Sequence, residues 1–301
     1  MNYRHIYHAG NFADIVKHAV LCWCLEKLCQ KEAPFFVLDT HAGCGKYDMM
    51  SDQSQRTLEA EVGIKKLLQK IDLKETELQN YLQILADINL CEIDELSQKI
   101  RHYAGSPRFI KHFLRKDDRA VFCELHEEDF YELKRNFSGN WRIVTEKTDG
   151  FHAIKSKLPP LQKRGLVLID PPFEKDAKIN DFDAIISALK ESYKRFATAI
   201  YMVWYPIINK DQEQKNLQRF HEKISQLKFE KKLNIIFDVA AMPNKLHDNS
   251  KKMTACGLLI CNAPWQLEEK LNIILPKIIA AIGAENASYK CETIEVGDNL
   301  I

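Results

Sequence analysis

Five apolar residues, Gly165-Leu166-Val167-Leu168-Ile169, are followed at once by Asp170-Pro171-Pro172-Phe173. A short unbroken apolar run reads as a strand buried on both faces, the kind found in parallel sheets covered by helices. Proline donates nothing to a ladder, so the strand cannot continue through Pro171 and Pro172. It must end at Asp170, leaving an acid, a rigid turn and an aromatic ring at its carboxyl edge. Open α/β sheets hold their ligands at that edge. Taken alone, the four residues fit a plain strand stop, with Phe173 in the core, as well as they fit a site.

The rest of the chain repeats the pattern. Strands are expected over Phe35–Thr40, Ala120–Leu125, Arg142–Glu146, Gly165–Ile169, Thr198–Trp204, Leu233–Val239 and Met253–Cys261. Helical spacing over Asn11–Gln30, Phe130–Phe137, Gly150–Lys157, Phe182–Arg195, Asp211–Leu227 and Leu267–Ala280 separates most of them. Alternation of this kind implies a doubly wound, mostly parallel sheet of seven strands. The polar loop Met242–Lys252 has no helical pattern, so it should join the last two strands as a hairpin, with one strand antiparallel at the end of the sheet. The segment from Lys46 to Arg119 is too long for a simple crossover. Within it Thr57–Ile71, Glu75–Ile88 and Ile93–Tyr103 carry apolar residues at helical spacing, among them Leu68, Leu78, Tyr81, Leu82, Leu85, Leu96 and Ile100. The expected organisation is a main domain of residues 1–46 and 105–301 with an inserted helical subdomain, 47–104.

Composition sets outer limits. The 301 residues are 46% hydrophobic and 28% charged, which suits a globular chain with a sizeable core. Lys and Arg number 43 against 42 Asp and Glu, so any basic surface must be local. Nine scattered cysteines include no CxxC pair, and neither a zinc site nor a disulfide framework is supported. Reduced thiols in the cytoplasm fit best. The polar start is no signal peptide, and no apolar stretch is long enough to span a bilayer.

Three further strand ends carry chemistry. The first reaches Asp39-Thr40-His41-Ala42-Gly43-Cys44-Gly45. Gly43 and Gly45 let the backbone approach a ligand, but Asp48 stands where a dinucleotide fingerprint needs its third glycine. The second ends in Glu124, an acid suited to ribose hydroxyls. The third leads into Asp149-Gly150-Phe151, where Asp149 can accept from an adenine amino group, cap the next helix, or do both. Glycine turn, ribose acid, adenine acid and proline turn follow in order along successive strands. That order fits a class I methyltransferase far better than a dehydrogenase.

The amino-terminal segment interleaves Tyr3, Arg4, His5, Tyr7 and His8 before Asn11, Asp14, Lys17 and His18. Asn11 and Asp14 suit a helix start, while mixed basic and aromatic residues suit bases and phosphates. The Asp-Pro-Pro-Phe turn resembles motif IV of adenine-N6 methyltransferases. Together, YRHxYHAGNxADxxKH, LDTHAGxG, Gly105-Ser106-Pro107, ELH, DGF and IDPPF resemble the bacterial 23S ribosomal RNA adenine-N6 methyltransferases of the RlmJ family. So do Tyr193–Thr198 with Trp204-Tyr205-Pro206, and Met253-Thr254-Ala255-Cys256-Gly257. The resemblance covers about the whole chain.

That resemblance implies a Rossmann-like class I methyltransferase using S-adenosyl-L-methionine, leaving S-adenosyl-L-homocysteine, on one adenine of 23S ribosomal RNA, adenine 2030. It places His18, His41, Gly43, Gly45, Ser106, Glu124, Asp149, Gly150 and Asp170 at the cofactor. It places Asp170, Pro171, Phe173, Lys17, Tyr3 and His5 at the target nucleotide. Phe173 stands where close relatives carry Tyr, so a phenol hydroxyl has no role here while stacking is kept. The implied protein is a cytoplasmic monomer acting without metal or membrane. RNA would be gripped by the Tyr3–His8 segment, Arg108 to Arg119, or the Lys245–Lys252 loop. The competing readings are a DNA adenine-N6 methyltransferase, a non-catalytic RNA-binding module of methyltransferase-like fold, and, more remotely, a nicotinamide-dependent dehydrogenase.

Overall fold

The computed structural model describes residues 4–173, 181–208, 211–240 and 253–295. A 3-10 turn, His5–Tyr7, leads into α1 (Phe12–Cys29), whose start is set by the Asn11 side chain accepting from the Asp14 amide at 2.9 Å. Residues Phe12 to Leu25 of this helix are all buried. A helix buried all round belongs in a core, and α1 packs between the sheet and the inserted segment.

The sheet strands are β1 (Phe36–Asp39), then, after a small pair β2 (Lys46–Asp48) and β3 (His102–Ala104), β4 (Arg119–Cys123), β5 (Ile143–Glu146), β6 (Gly165–Ile169), β7 (Ile200–Ile207), β8 (Lys232–Asp238), β9 (Ala255–Cys261) and β10 (Ser288–Thr293). Their order is β10-β8-β9-β7-β6-β1-β4-β5. β1 pairs in parallel with both β4 and β6, so the winding reverses there. The crevice beyond the carboxyl ends of β1 and β6 is therefore the topological switch point. β6 is buried at all five positions, as its unbroken apolar run requires.

The remaining helices are α2 (Asp52–Thr57), α3 (Lys66–Lys70), α4 (Gln79–Asn89), α5 (Leu96–Lys99), α6 (Ser106–Phe113), α7 (Glu127–Phe137), α8 (Gly150–Lys157), α9 (Asp181–Phe196), α10 (Asp211–Ser225) and α11 (Leu267–Ile282).

Four points differ from the sequence expectation. The sheet has eight strands, not seven, because Ser288–Thr293 pairs with β8. Its short polar-rich alternation, with only Tyr289 and Cys291 packed on the core, is a weak signal. Two strands run antiparallel rather than one: β9, slotted between β7 and β8, and β10 at the edge. Ile93–Tyr103 is not one helix. A capping box between Glu92 and Glu95 starts a turn that continues as α5, and Ile100 is already extended before β3 pairs with β2. Lastly, α6 lies where no helix was expected, although Pro107 in its first turn is a start signal. The expected Met242–Lys252 loop lies outside the described residues.

In the inserted segment the expected apolar positions Leu68, Leu78, Tyr81, Leu82, Leu85, Leu96 and Ile100 are all buried, and they join the same core as α1. Its two ends meet at the β2–β3 pair, where the Gly105 amide donates to the Gly45 carbonyl at 3.1 Å.

Candidate functional site

A cavity of about 560 Å³ opens at the switch point. Pro171, Pro172 and Phe173 form one wall as the chain leaves β6. Phe173 sits at φ +49°, a left-handed conformation that a bulky side chain adopts only under strain. Its ring meets Phe182 and Trp204 edge-on, with centroids 5.2 and 5.9 Å away, so it is propped from behind while bordering the cavity.

From the opposite side α1 delivers Lys17. Its Nζ lies 2.5 Å from Asp170 Oδ2 and 3.0 Å from Asp14 Oδ1. Asp14 and Lys17 are three apart on the helix and share a face. The other Asp14 oxygen lies 2.9 Å from His5 Nε2 and accepts the Gly10 amide at 3.0 Å. One buried carboxylate thus ties the amino-terminal turn to Lys17, and Lys17 to the strand-edge acid. Burial alone would raise the Asp14 pKa, but attraction from His5 and Lys17 outweighs it and holds the group well below the usual carboxylate range. Burial likewise opposes the Lys17 charge, and Asp14 and Asp170 overcome it, so this ammonium stays protonated. Arg4 fastens the same amino-terminal turn to α7 through ion pairs with Glu128 at 2.8 Å and Asp129 at 3.0 Å.

The third wall is the glycine turn after β1. Gly43 takes φ +59°, and a Cβ there would run into the Tyr47 hydroxyl. Its amide donates to Glu124 Oε2 at 2.9 Å, while Glu124 Oε1 accepts the His126 amide at 2.6 Å. Glu124 also borders the cavity. Burial raises the Glu124 pKa despite these bonds. Beneath the turn, Ser106 Oγ donates to Asp39 Oδ2 at 2.6 Å, and Asp39 Oδ1 is buried without a partner. Burial lifts Asp39 to about 7. Burial also drops His41 to about 4 and His18 well below the imidazole range, so both rings are neutral. His18 stacks on Phe109 at 4.7 Å and contacts the Tyr103 hydroxyl at 3.0 Å.

Of the residues singled out from sequence, His5, Lys17, His18, His41, Gly43, Ser106, Glu124, Asp170, Pro171 and Phe173 all border this cavity. Gly45, Asp149 and Gly150 do not. Gly45 lies behind the wall, where a Cβ would press on Phe137 at 2.9 Å. The Asp149 side chain is exposed and caps α8 by accepting from the His152 amide at 2.8 Å. Gly150 lets that helix start close against the Thr40 backbone. Tyr3 lies outside the described residues. Asp14 and Trp204 border the cavity and were not expected there. For Asp14 the available signal was its i, i+3 spacing from Lys17. Among the described residues no group of three or more His, Cys, Asp or Glu side chains is arranged to hold a metal ion.

A parallel sheet that reverses at β1 and takes one antiparallel strand between β7 and β8 is the Rossmann-like architecture of class I methyltransferases, and the cavity stands where that architecture binds. Residues 32–294 match the family model described as "Ribosomal RNA large subunit methyltransferase D, RlmJ", and the chain belongs to that family. It is 39% identical over 276 residues to the Ribosomal RNA large subunit methyltransferase J of Escherichia coli, covering 92% of each chain. The protein of the same name from Haemophilus influenzae is 38% identical over 286 residues, covering 95% of each. A crystal structure of a Legionella pneumophila protein superposes with a TM-score of 0.80 at 31% identity, covering 95% of this chain and 98% of that one. No described helix is long and apolar enough to cross a membrane.

Proposed function

We propose that this protein transfers a methyl group from S-adenosyl-L-methionine to the exocyclic N6 of one adenine in 23S ribosomal RNA. The observation that carries the reading is the Lys17–Asp170 contact, 2.5 Å long, beside the Pro171-Pro172-Phe173 turn at the switch point. The residues present fit the cofactor. Its sulfonium and ammonium charges suit a cavity bordered by Asp14, Glu124, Asp129 and Asp170. When bound, S-adenosylmethionine supplies an electrophilic methyl group; His18, His41, Gly43, Ser106 and Glu124 are the residues that would hold it.

Adenine N6 is a poor nucleophile because its lone pair is delocalised into the ring. Asp170 Oδ2 is taken by Lys17, which leaves Oδ1 and the Pro171 carbonyl as acceptors for the two N6 hydrogens. Accepting both draws the nitrogen toward tetrahedral geometry and aims its lone pair into the cavity. Phe173 stacks on a base that has left its own stack. Lys17 is protonated and so is no base; it keeps Asp170 anionic and in place, and its charge favours phosphate and base acceptors nearby. His5, which borders the cavity, positions the nucleotide, and the family resemblance assigns Tyr3 the same role. The nitrogen becomes acidic once methylated, so its proton leaves without a dedicated base. Positioning and electrostatics carry the rate.

Methyl transfer from a sulfonium needs no metal. Nine free thiols fit a cytoplasmic protein, and the reading is of a monomer acting there. The test is to incubate the protein with methyl-labelled cofactor and rRNA, DNA or protein, then map the label. Label on N6 of a single 23S adenine is expected. Label on DNA alone, or on no nucleic acid, would overturn the reading.

A further inference from the structure

The outer flank of the glycine-turn wall carries a row of cations. We propose that this row, Lys46, Arg108, Lys111 and Arg142, holds the sugar–phosphate backbone of the RNA beside the target adenine. This rests on the rRNA reading above and adds where the substrate lies.

Backbone geometry sets the row. β2 and β3 pair with Lys46 opposite Ala104, and the Gly105 amide bonds the Gly45 carbonyl, so Lys46 stands beside the first turn of α6. Arg108 and Lys111 are three apart on α6, whose other face is buried through Phe109, Ile110 and Phe113. At the far end the Arg142 guanidinium donates to the Leu114 carbonyl at 2.5 Å. Eight residues of helix make the row about 12 Å long. Arg119 extends it by lying 4.3 Å over the ring of Trp141, which is 62% exposed.

The charge is uncompensated. Among the described residues none of Lys46, Arg108, Lys111 or Arg142 has a carboxylate within ion-pair distance. The acid at the margin, Asp48, is engaged by Arg101 at 2.8 Å. After burial, Arg108 and Arg101 depress the Lys46 ammonium, and Arg108 and Arg142 depress Lys111. The cations therefore repel one another, in a chain whose positive and negative residues otherwise balance. A solvated face needs no such arrangement, whereas a polyanion relieves it. Arg115, equally basic in sequence, is instead committed to Asp118 at 2.8 Å. The row also begins at the cavity, because Gly105 and Ser106, at the start of α6, border it. RNA that delivers an adenine into the cavity brings its flanking phosphates within reach of this flank.

The test measures binding of an rRNA fragment containing the target adenine against salt concentration, for the wild type and Lys46→Gln/Lys111→Gln. The slope of log affinity against log salt should become shallower by about 1 per lysine, with cofactor affinity and melting temperature unchanged. An unchanged slope in the folded variant would overturn the surface. Should the variant not fold, acetylation of wild-type lysines is the second measurement. RNA should protect Lys46 and Lys111 while Lys190 and Lys194 stay reactive. No protection, or equal protection by polyglutamate, would overturn it. Wild-type methylation of the fragment, measured in parallel, separates failure of this surface from failure of the activity itself.

Discussion

Asp14→Asn probes the charge network on which the site depends. The substitution keeps the shape of the side chain and an oxygen for the Gly10 amide, but removes a charge that is 1% exposed. It breaks two charge-assisted contacts, to His5 at 2.9 Å and to Lys17 at 3.0 Å. Such bonds contribute about 1.5–3 kcal/mol each. Full loss of a buried pair costs about 3–5 kcal/mol when a charge is left stranded, but Lys17 keeps Asp170 at 2.5 Å. The expected destabilisation is therefore about 2–4 kcal/mol, read by urea unfolding at pH 7. The sign with pH follows from the lowered folded pKa. Asp14 contributes stability that is present above the unfolded value of 3.8 and is lost as pH falls through the folded one. The gap between variant and wild type should thus be constant at neutral pH and close in acid. With Lys17 held from one side only, kcat should drop about tenfold, equivalent to about 1.4 kcal/mol, with a smaller change in KM for RNA. A loss of stability under about 0.5 kcal/mol, the size of an ordinary surface change, together with normal kcat, would refute the reasoning.

Asp170→Ala should abolish transfer of labelled methyl in a protein that stays folded, at a loss of about 1.5–3 kcal/mol of stability from the broken Lys17 contact; measurable turnover would remove Asp170 from the mechanism. Phe173→Tyr should keep activity, while Phe173→Ala should lose the stacking term, about 1–3 kcal/mol or roughly five- to 150-fold in kcat/KM for RNA. Asp39 has a folded pKa raised to about 7 from 3.8, so its contribution to stability is fully present below pH 3.8 and is lost as pH rises through 7. Unfolding of Asp39→Asn across pH should therefore show the variant gaining on the wild type from about pH 4 to 7, by an amount on the order of 4 kcal/mol; a flat difference would mean Asp39 titrates normally.

What could be read from the chain follows how local each signal is. The run Gly165–Ile169 with its two prolines is a one-dimensional statement about a buried strand and its end, and the fold honours it at all five positions. The inserted helices were legible for the same reason, since apolar residues at helical spacing mark the buried face whichever partner covers it. β10 was not legible, because Ser288–Thr293 earns its place by pairing with β8 and not by apolar content. Helix α6 was hidden by brevity, since eight residues hold barely two turns of periodicity.

The site shows the same division more sharply. Acids and glycines at strand ends could be placed because the doubly wound topology sends every such end to one edge. Asp149 admits two readings, capping and adenine binding; its Oδ1 accepts from the His152 amide, which is the capping reading and leaves the other untouched. Partnerships across the fold are a different matter. Lys17 and Asp170 are 153 residues apart, and no spacing rule joins them. They meet because the Phe12–Leu25 stretch of α1 is buried on every side and lies against the sheet, which carries the two charged residues of that stretch, Asp14 and Lys17, into the core. Asp14 and Lys17 already pair with each other at 3.0 Å, as a buried charge must, and Asp170 adds a second acceptor that turns the ammonium toward the strand edge. The contact that helps settle the Lys17 charge in the core therefore also fixes Asp170 at the edge of the cavity, which is the position the proposed reaction requires of it.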